Sequence, residues 1–259
     1  MNAGFLYGIN EIVIDFLFFV LMIAATEAGF HLGRKSEAST PDKAKSQISA
    51  VEDGMLGILA LLLGFTMFMV VTRFEARKQL VLDEANAIGT SYLRTALLPA
   101  PEGSEIASLL RQYIDVRVQY GTASSDLAPL EGLNAQTTRL QNELWVRAVA
   151  YGQNDPNPVR TGLLLQSLNQ VIDLESAQRM AFQNSVPKSV IYVNGIVGLL
   201  AAMLVGYTFG LNGRRQIFPT FVLAVAITLV LALIIDLDRP RSGFIRVSQQ
   251  PMIDLQHSP

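Results

Sequence analysis

Residues 54–71 read GMLGILALLLGFTMFMVV, and no charge interrupts the run from Gly54 to Thr72. An apolar helix of about 20 residues crosses a hydrocarbon core of roughly 30 Å, so this stretch is long enough to span a bilayer. Residues 74–99, FEARKQLVLDEANAIGTSYLRTALLP, follow it directly, with no proline before Pro99. The two stretches are therefore expected to form one continuous helix, apolar first and amphipathic after. A membrane segment that runs on into a polar domain decides the fold class.

Three further apolar blocks agree with it, at roughly 9–30, 189–211 and 217–235. The last contains FPTFVLAVAITLVLALII (residues 218–235) and is uncharged from Ile217 to Ile235. The first is less pure, since Glu11, Asp15 and Glu27 fall inside it. Half of the 259 residues are apolar and only 16% are charged, which is too greasy for an ordinary soluble domain. The net charge of −2 and the absence of a dense basic cluster argue against nucleic acid as a partner. No cysteine is present, and only His31 and His257 offer an imidazole. Thiolate chemistry is thus excluded, and no metal centre, cofactor site or enzymatic activity is expected. No Lys or Arg precedes Arg34, and acids occupy the place of a positive n-region, so the first block reads as a retained anchor and not as a cleaved signal.

Between the second and third apolar blocks, helical periodicity dominates. Ile106, Leu109, Leu110, Tyr113, Val116 and Tyr120 form one stripe over about 102–120. GTASSDLAPLEG (121–132) breaks the pattern with turn formers. A second stripe over about 132–151 carries Leu133, Leu140, Leu144, Trp145, Ala148 and Tyr151. GQNDPNP (152–158) is a loop whose final proline suits the first turn of the next helix, expected at about 158–184. The fold class is an all-α membrane protein. Four transmembrane helices are expected, with a helical extramembrane domain between the second and third. The expected divisions are 1–74, 75–187, 188–240 and an extended C-terminal tail over 241–259.

Several residues stand out as candidates for function. In the third block Asn194, Gly198, Ala202, Gly206 and Gly210 recur every fourth residue, a small-residue face that lets helix backbones approach closely in lipid. It reads as packing within the chain or, alternatively, as contact between subunits. In the second block Leu61, Phe65, Phe68 and Met69 form a bulky face. Such a face meets lipid or core, or rings a narrow axis and gates ions by dewetting. Glu27 is an acid within an apolar stretch, one turn before His31. It can pair with Arg214 or Arg215 from the other short loop, or handle ions. Glu11 and Asp15 share a face at the opposite end.

The fourth block ends in LALIIDLDRPRSGFIRVSQQP (231–251), and it places Asp236 and Asp238 at a helix C-terminus, where the macrodipole favours cations. The expected compensation is a charged joint of Asp236 and Asp238 with Arg73, Arg77, Arg239 and Arg241. Pro240 stops the helix and Gly243 lets the chain turn.

The same stretches carry a family resemblance. Residues 57–99, GYTFGLNGRR (206–215) and LIIDLDRPRSGFIRVSQQPMIDL (233–255) resemble the signature blocks of a bacterial membrane family of unknown function, known as bestrophin-like. The order of elements is also similar to that of bestrophins proper, pentameric anion channels with four membrane helices, a helical cytosolic region and an apolar neck on the second helix. This implies a homo-oligomer, a pentamer by resemblance, in contact with membrane lipid and passing inorganic anions across the bacterial inner membrane. It implies Leu61, Phe65, Phe68 and Met69 as neck residues, and a vestibule lined by the helix through Arg77 and Arg94. IRVSQQP (245–251) would be a strap reaching other subunits. The calcium-clasp acids of animal bestrophins are missing, so calcium control is not expected. Orientation is divided. Arg34 and Lys35 after the first helix favour a domain outside the cytoplasm, whereas the resemblance implies a cytoplasmic one.

Overall fold

The structure is a computed structural model, and it describes residues 11–124, 127–155 and 157–257. Eight α-helices occur among them: α1 (Glu11–Ser36), α2 (Asp42–Thr95), α3 (Glu102–Thr122), α4 (Leu127–Asn154), α5 (Pro158–Gln183), α6 (Lys188–Leu211), α7 (Ile217–Asp238) and α8 (Gln250–His257). No strand occurs among the described residues. Four helices are long and apolar enough to cross a membrane, and the protein is a multi-pass membrane protein. The chain divides into two compact units, Met1–Thr72 with Val186–Asp238, and Arg73–Ser185 with Arg239–Pro259.

In the first unit α1 packs along α6 and, to a lesser extent, on α7. The helix ends follow local chemistry. α1 closes with Arg34 and Lys35 in its last turn, where cations suit the exposed carbonyls. α6 closes on Asn212, whose N–H bonds the Thr208 carbonyl at 3.2 Å. Gly213 then adopts φ +66°, the left-handed turn that a Cβ would strain.

α2 is the uninterrupted helix expected from residue 54 to Thr95, but it begins earlier, at Asp42. The turns before Gly54 carry Lys43, Ala44, Lys45, Gln47 and Glu52, good helix formers that a hydropathy reading truncates. α4 likewise starts at Leu127 and not near 132, because Pro129 is tolerated in a first turn, where N–H groups lack helical partners anyway.

The second unit is a helical bundle. Its core joins Ile88, Ile106, Leu110, Tyr113, Ile114, Leu140, Leu144, Ala148, Leu164, Leu168 and Val171, residues of α2, α3, α4 and α5 brought together by their one-sided stripes, with Leu98 added from the turn after α2. The tail departs from the expected extended strap. Residues 250–257 form α8, whose Met252 is buried in that core. Pro251 lies in its first turn, and Gln256 Nε2 donates to Asp115 Oδ1 at 2.7 Å. A short amphipathic helix after a turn is easily read as coil, since two turns hold too few residues to display a period.

Candidate functional site

α2 turns two faces in the first unit. Leu59, Leu63, Thr66 and Val70 are buried, while Leu61, Phe65 and Phe68 are 58%, 64% and 73% exposed. Met69 is half-buried. The exposed side chains recur at i, i+4 and i+7, so they line one face. A Cβ added at Gly54, Gly57 or Gly64 would meet no atom within 4 Å. The buried face is fixed by a polar clasp. Asn194 Nδ2 on α6 donates to Thr66 Oγ1 at 2.9 Å and to the Val190 carbonyl at 2.9 Å. The Thr66 hydroxyl in turn donates to the Leu62 carbonyl at 2.8 Å. Sequence reasoning singled out Asn194 but missed Thr66, whose signal was a lone hydroxyl in an apolar run.

The small-residue face of α6 meets α1. A Cβ on Gly206 would lie 1.9 Å from the Thr26 carbonyl oxygen, and one on Gly210 would lie 2.3 Å from that of Phe30. The approach is reciprocal, since Cβ atoms on Gly29 and Gly33 would lie 1.9 Å from Met203 O and 2.1 Å from Tyr207 O. Two helices each contribute glycines four residues apart, which permits backbone contact in lipid. The GFHLG motif of α1 (29–33) was legible and was overlooked. Ala202 is buried in the same face, whereas Gly198 faces ordinary contacts with Phe18, Ile227 and Leu59.

Two charged contacts join the helices of this unit. Arg215 Nη2 donates to Glu27 Oε1 at 2.6 Å, and His31 Nε2 lies 3.1 Å from the same oxygen. At the other end of α7, both oxygens of Asp238 accept the Val186 N–H, at 2.9 and 3.2 Å. Val186 precedes Pro187, the N-cap of α6. The carboxylate that opposes its own helix dipole therefore stands at the positive end of an antiparallel neighbour. Asp236 and Arg239 are also buried, and neither lacks a partner. The side chain of Glu11 lies outside the described residues, and Asp15 is half-buried.

In the bundle, Arg77 is 1% exposed, which removes it from the vestibule surface that the resemblance implied. Its Nε donates to the Ala181 carbonyl at 3.0 Å and its Nη2 to that of Asn184 at 2.7 Å, so it caps the C-terminus of α5. Arg94 donates to the Leu163 carbonyl, and Arg73 is half-buried. Arg241 donates to the Tyr120 carbonyl at 2.6 Å, with its guanidinium 4.3 Å from the Tyr120 ring centre and 5.0 Å from that of Phe182.

The bundle also holds a buried polar network that the stripes did not announce. Arg117 Nε and Nη2 donate to the two oxygens of Glu84 at 2.6 and 3.0 Å, and Nη2 also reaches Gln178. Glu175 lies 3.8 Å from Nη1. Burial raises the Glu84 carboxyl and is opposed by Arg117. The Tyr113 hydroxyl is pushed well above its ordinary value, first by burial and then by the adjacent Glu84. Glu84 and Arg117 lie in amphipathic segments far apart in sequence, so only the fold pairs them. Of the NAIGTSYLR cluster (86–94), Asn86 and Thr90 are exposed, and Ser91 bonds its own helix at Ala87.

No curated protein matches the chain. Solved structures do. A bacterial Bestrophin homolog from Klebsiella pneumoniae carrying a tryptophan-to-alanine mutation is similar at a TM-score of 0.71 and 13% identity, over 96% of this chain and 99% of that chain. A second crystal structure of a bacterial Bestrophin homolog from Klebsiella pneumoniae, phased with zinc, gives a TM-score of 0.65 at 15% identity, over 96% and 99%. At such identities the likeness is one of fold. The sequence model of the Bestrophin-like domain matches residues 20–252, and by that match the chain belongs to the bestrophin-like family.

Proposed function

We propose that the protein is an oligomeric ion channel of the bacterial inner (cytoplasmic) membrane, conducting inorganic anions through a narrow apolar neck formed by α2. The observation that carries this reading is the outward face of Leu61, Phe65 and Phe68, with Met69 at its edge, three-fifths or more exposed at the two phenylalanines. Around a closed symmetry axis the same side chain recurs from each subunit, and rings of bulky apolar groups gate by excluding water. The open glycines at 54, 57 and 64 give a neighbouring helix room on that face. Permeation needs no nucleophile, base or metal. The resemblance to bestrophins supports five subunits and a cytoplasmic bundle.

Native mass spectrometry of the purified protein counts the subunits, and a ring of four or more supplies an axis. Phe65→Ala is then expected to widen the neck and raise halide flux from liposomes severalfold. Background flux in both wild type and variant would overturn the channel. It would favour a second reading, a non-conducting adaptor whose bundle binds a partner protein. Val146 and Trp145 leave apolar surface uncovered on α4, which is what that reading needs.

A further inference from the structure

Between α1, α6 and α7 the first unit holds a groove of about 350 Å³. Phe19, Ile23, Phe30, Phe209, Ile217 and Phe221 give it apolar walls, and Phe19 meets Phe221 edge to face at 5.8 Å. Its two threonines keep their hydroxyls on their own helices, Thr26 to the Met22 carbonyl at 2.9 Å and Thr220 to that of Gln216 at 2.7 Å. Neither presents an unmet polar group to the groove. Gly206 lies in the lining, pressed on the Thr26 carbonyl. All three helices belong to segments long and apolar enough to cross a membrane, and a groove between such helices opens toward lipid.

One end is charged. Arg215 and Glu27 both line the groove, and the Arg215 guanidinium lies 4.8 Å from the Phe30 ring centre. Glu27 engages one Arg215 nitrogen at 2.6 Å, which leaves further donors of a five-donor group. Arg214, next in the same turn, is exposed. Two arginines against one carboxylate make this end net positive, at the depth where an apolar helix meets its loop. An apolar channel for a hydrocarbon tail, ending at guanidinium donors that match phosphate, is complementary to an anionic phospholipid.

We propose that each subunit holds one anionic phospholipid here, an acyl chain lying in the groove and its phosphate on Arg214 and Arg215. The lipid fills a gap that the glycine contact of α1 and α6 cannot close by itself. It also gives Arg215 an acceptor besides Glu27, so the loop after α6 is held from two sides.

The test uses the full chain in phosphatidylglycerol or phosphatidylcholine nanodiscs, released for native mass spectrometry. One phosphatidylglycerol per subunit is expected to survive activation that strips phosphatidylcholine. The double variant Arg214→Gln, Arg215→Gln is expected to retain it about tenfold less, the loss of a charge-assisted hydrogen bond. Thr220→Trp fills the groove, leaves both arginines in place and is expected to lose the lipid as well. Equal retention of both lipids by all three proteins would mean ordinary boundary lipid and would overturn the site. Protection of the arginines by inorganic phosphate alone, unaffected by Thr220→Trp, would reduce it to a free-anion site. A changed subunit count in Thr220→Trp, with no lipid retained by wild type, would assign the groove to a second copy of the chain.

Discussion

Gly206→Ala is the sharpest probe of the membrane unit. The new methyl carbon would stand 1.9 Å from the Thr26 carbonyl oxygen, and ordinary contact begins at 3.4 Å. The obstacle is backbone and cannot rotate away, so α1 and α6 must part by about 1.5 Å, the difference of those distances. A gap of ~0.5–1 Å already forfeits a quarter to a half of each dispersion contact, so the interface loosens along its length. Overpacking of this kind costs about 1–3 kcal/mol, occasionally more, and the upper end applies here. Alanine returns about 1 kcal/mol of helix propensity, leaving a net loss of about 2 kcal/mol. Gly57→Ala receives the same propensity gain with no neighbour within 4 Å, and it serves as the reference. Near 2–4 °C per kcal/mol for chains of this size, the melting temperatures of the two variants should differ by roughly 6–12 °C in detergent. Gly29→Ala meets Met203 O at the same 1.9 Å. The double variant with Gly206→Ala should therefore cost less than the sum, because helices already parted have room for both methyls. Full additivity, or a Gly206→Ala protein as stable as Gly57→Ala, would refute the backbone contact.

Glu84→Gln leaves the Arg117 charge buried with Glu175 3.8 Å away, and urea unfolding of the bundle should show a loss of about 3–5 kcal/mol. Replacing the pair together, Glu84→Leu with Arg117→Met, should recover most of it, and a neutral single variant would sink the idea. At Asp155, burial would raise the carboxyl, but Thr161, the Asn157 N–H and Arg160 hold it down to about 2, against 3.8 ordinarily. A depressed folded-state value means stability fully present above pH 3.8 and lost as pH falls toward 2. The stability gap between wild type and Asp155→Asn should accordingly be flat above pH ~4.5 and close below it. A gap that persists at pH 2 would show that geometry and not charge is responsible.

The four spans, the continuous α2 and the bundle stripes were legible because each is a local pattern, a run or a period that the chain displays without knowing its neighbours. The partner of a pattern was not. The α6 stripe from Asn194 to Gly210 announces close approach, yet only the fold says that its Gly206–Gly210 part is received by the Gly29–Gly33 part of α1 while Asn194 turns to Thr66 of α2. The resemblance to bestrophins places Arg77 on the helix that lines a vestibule, and its position after an apolar segment suggests a charged joint. In the folded bundle it is buried and donates to the α5-end carbonyls of Ala181 and Asn184. Glu84 and Arg117 sit in helices whose periodicity they share with ordinary surface charges. A charge on the buried edge of a stripe looks like one on its exposed edge until the second helix is in place.

Asp238 shows the same physics resolved at one residue. Read alone, a carboxylate at the last turn of α7 is an error of sign that calls for compensating charge. Within the first unit, part of the compensation comes from another helix. Antiparallel packing places the start of α6 beside the end of α7, and the Val186 N–H, just before a proline that can donate nothing, needs an acceptor. One carboxylate meets that need with both oxygens and lies in the positive field of α6 while enduring the negative field of α7. Two liabilities, an unfavourable charge and an unpaired amide, cancel only when the helices are adjacent. The Asp238 contact therefore rewards the docked arrangement of α6 and α7 and offers nothing to either helix alone, which is how a polar group can specify a membrane fold that apolar residues only permit.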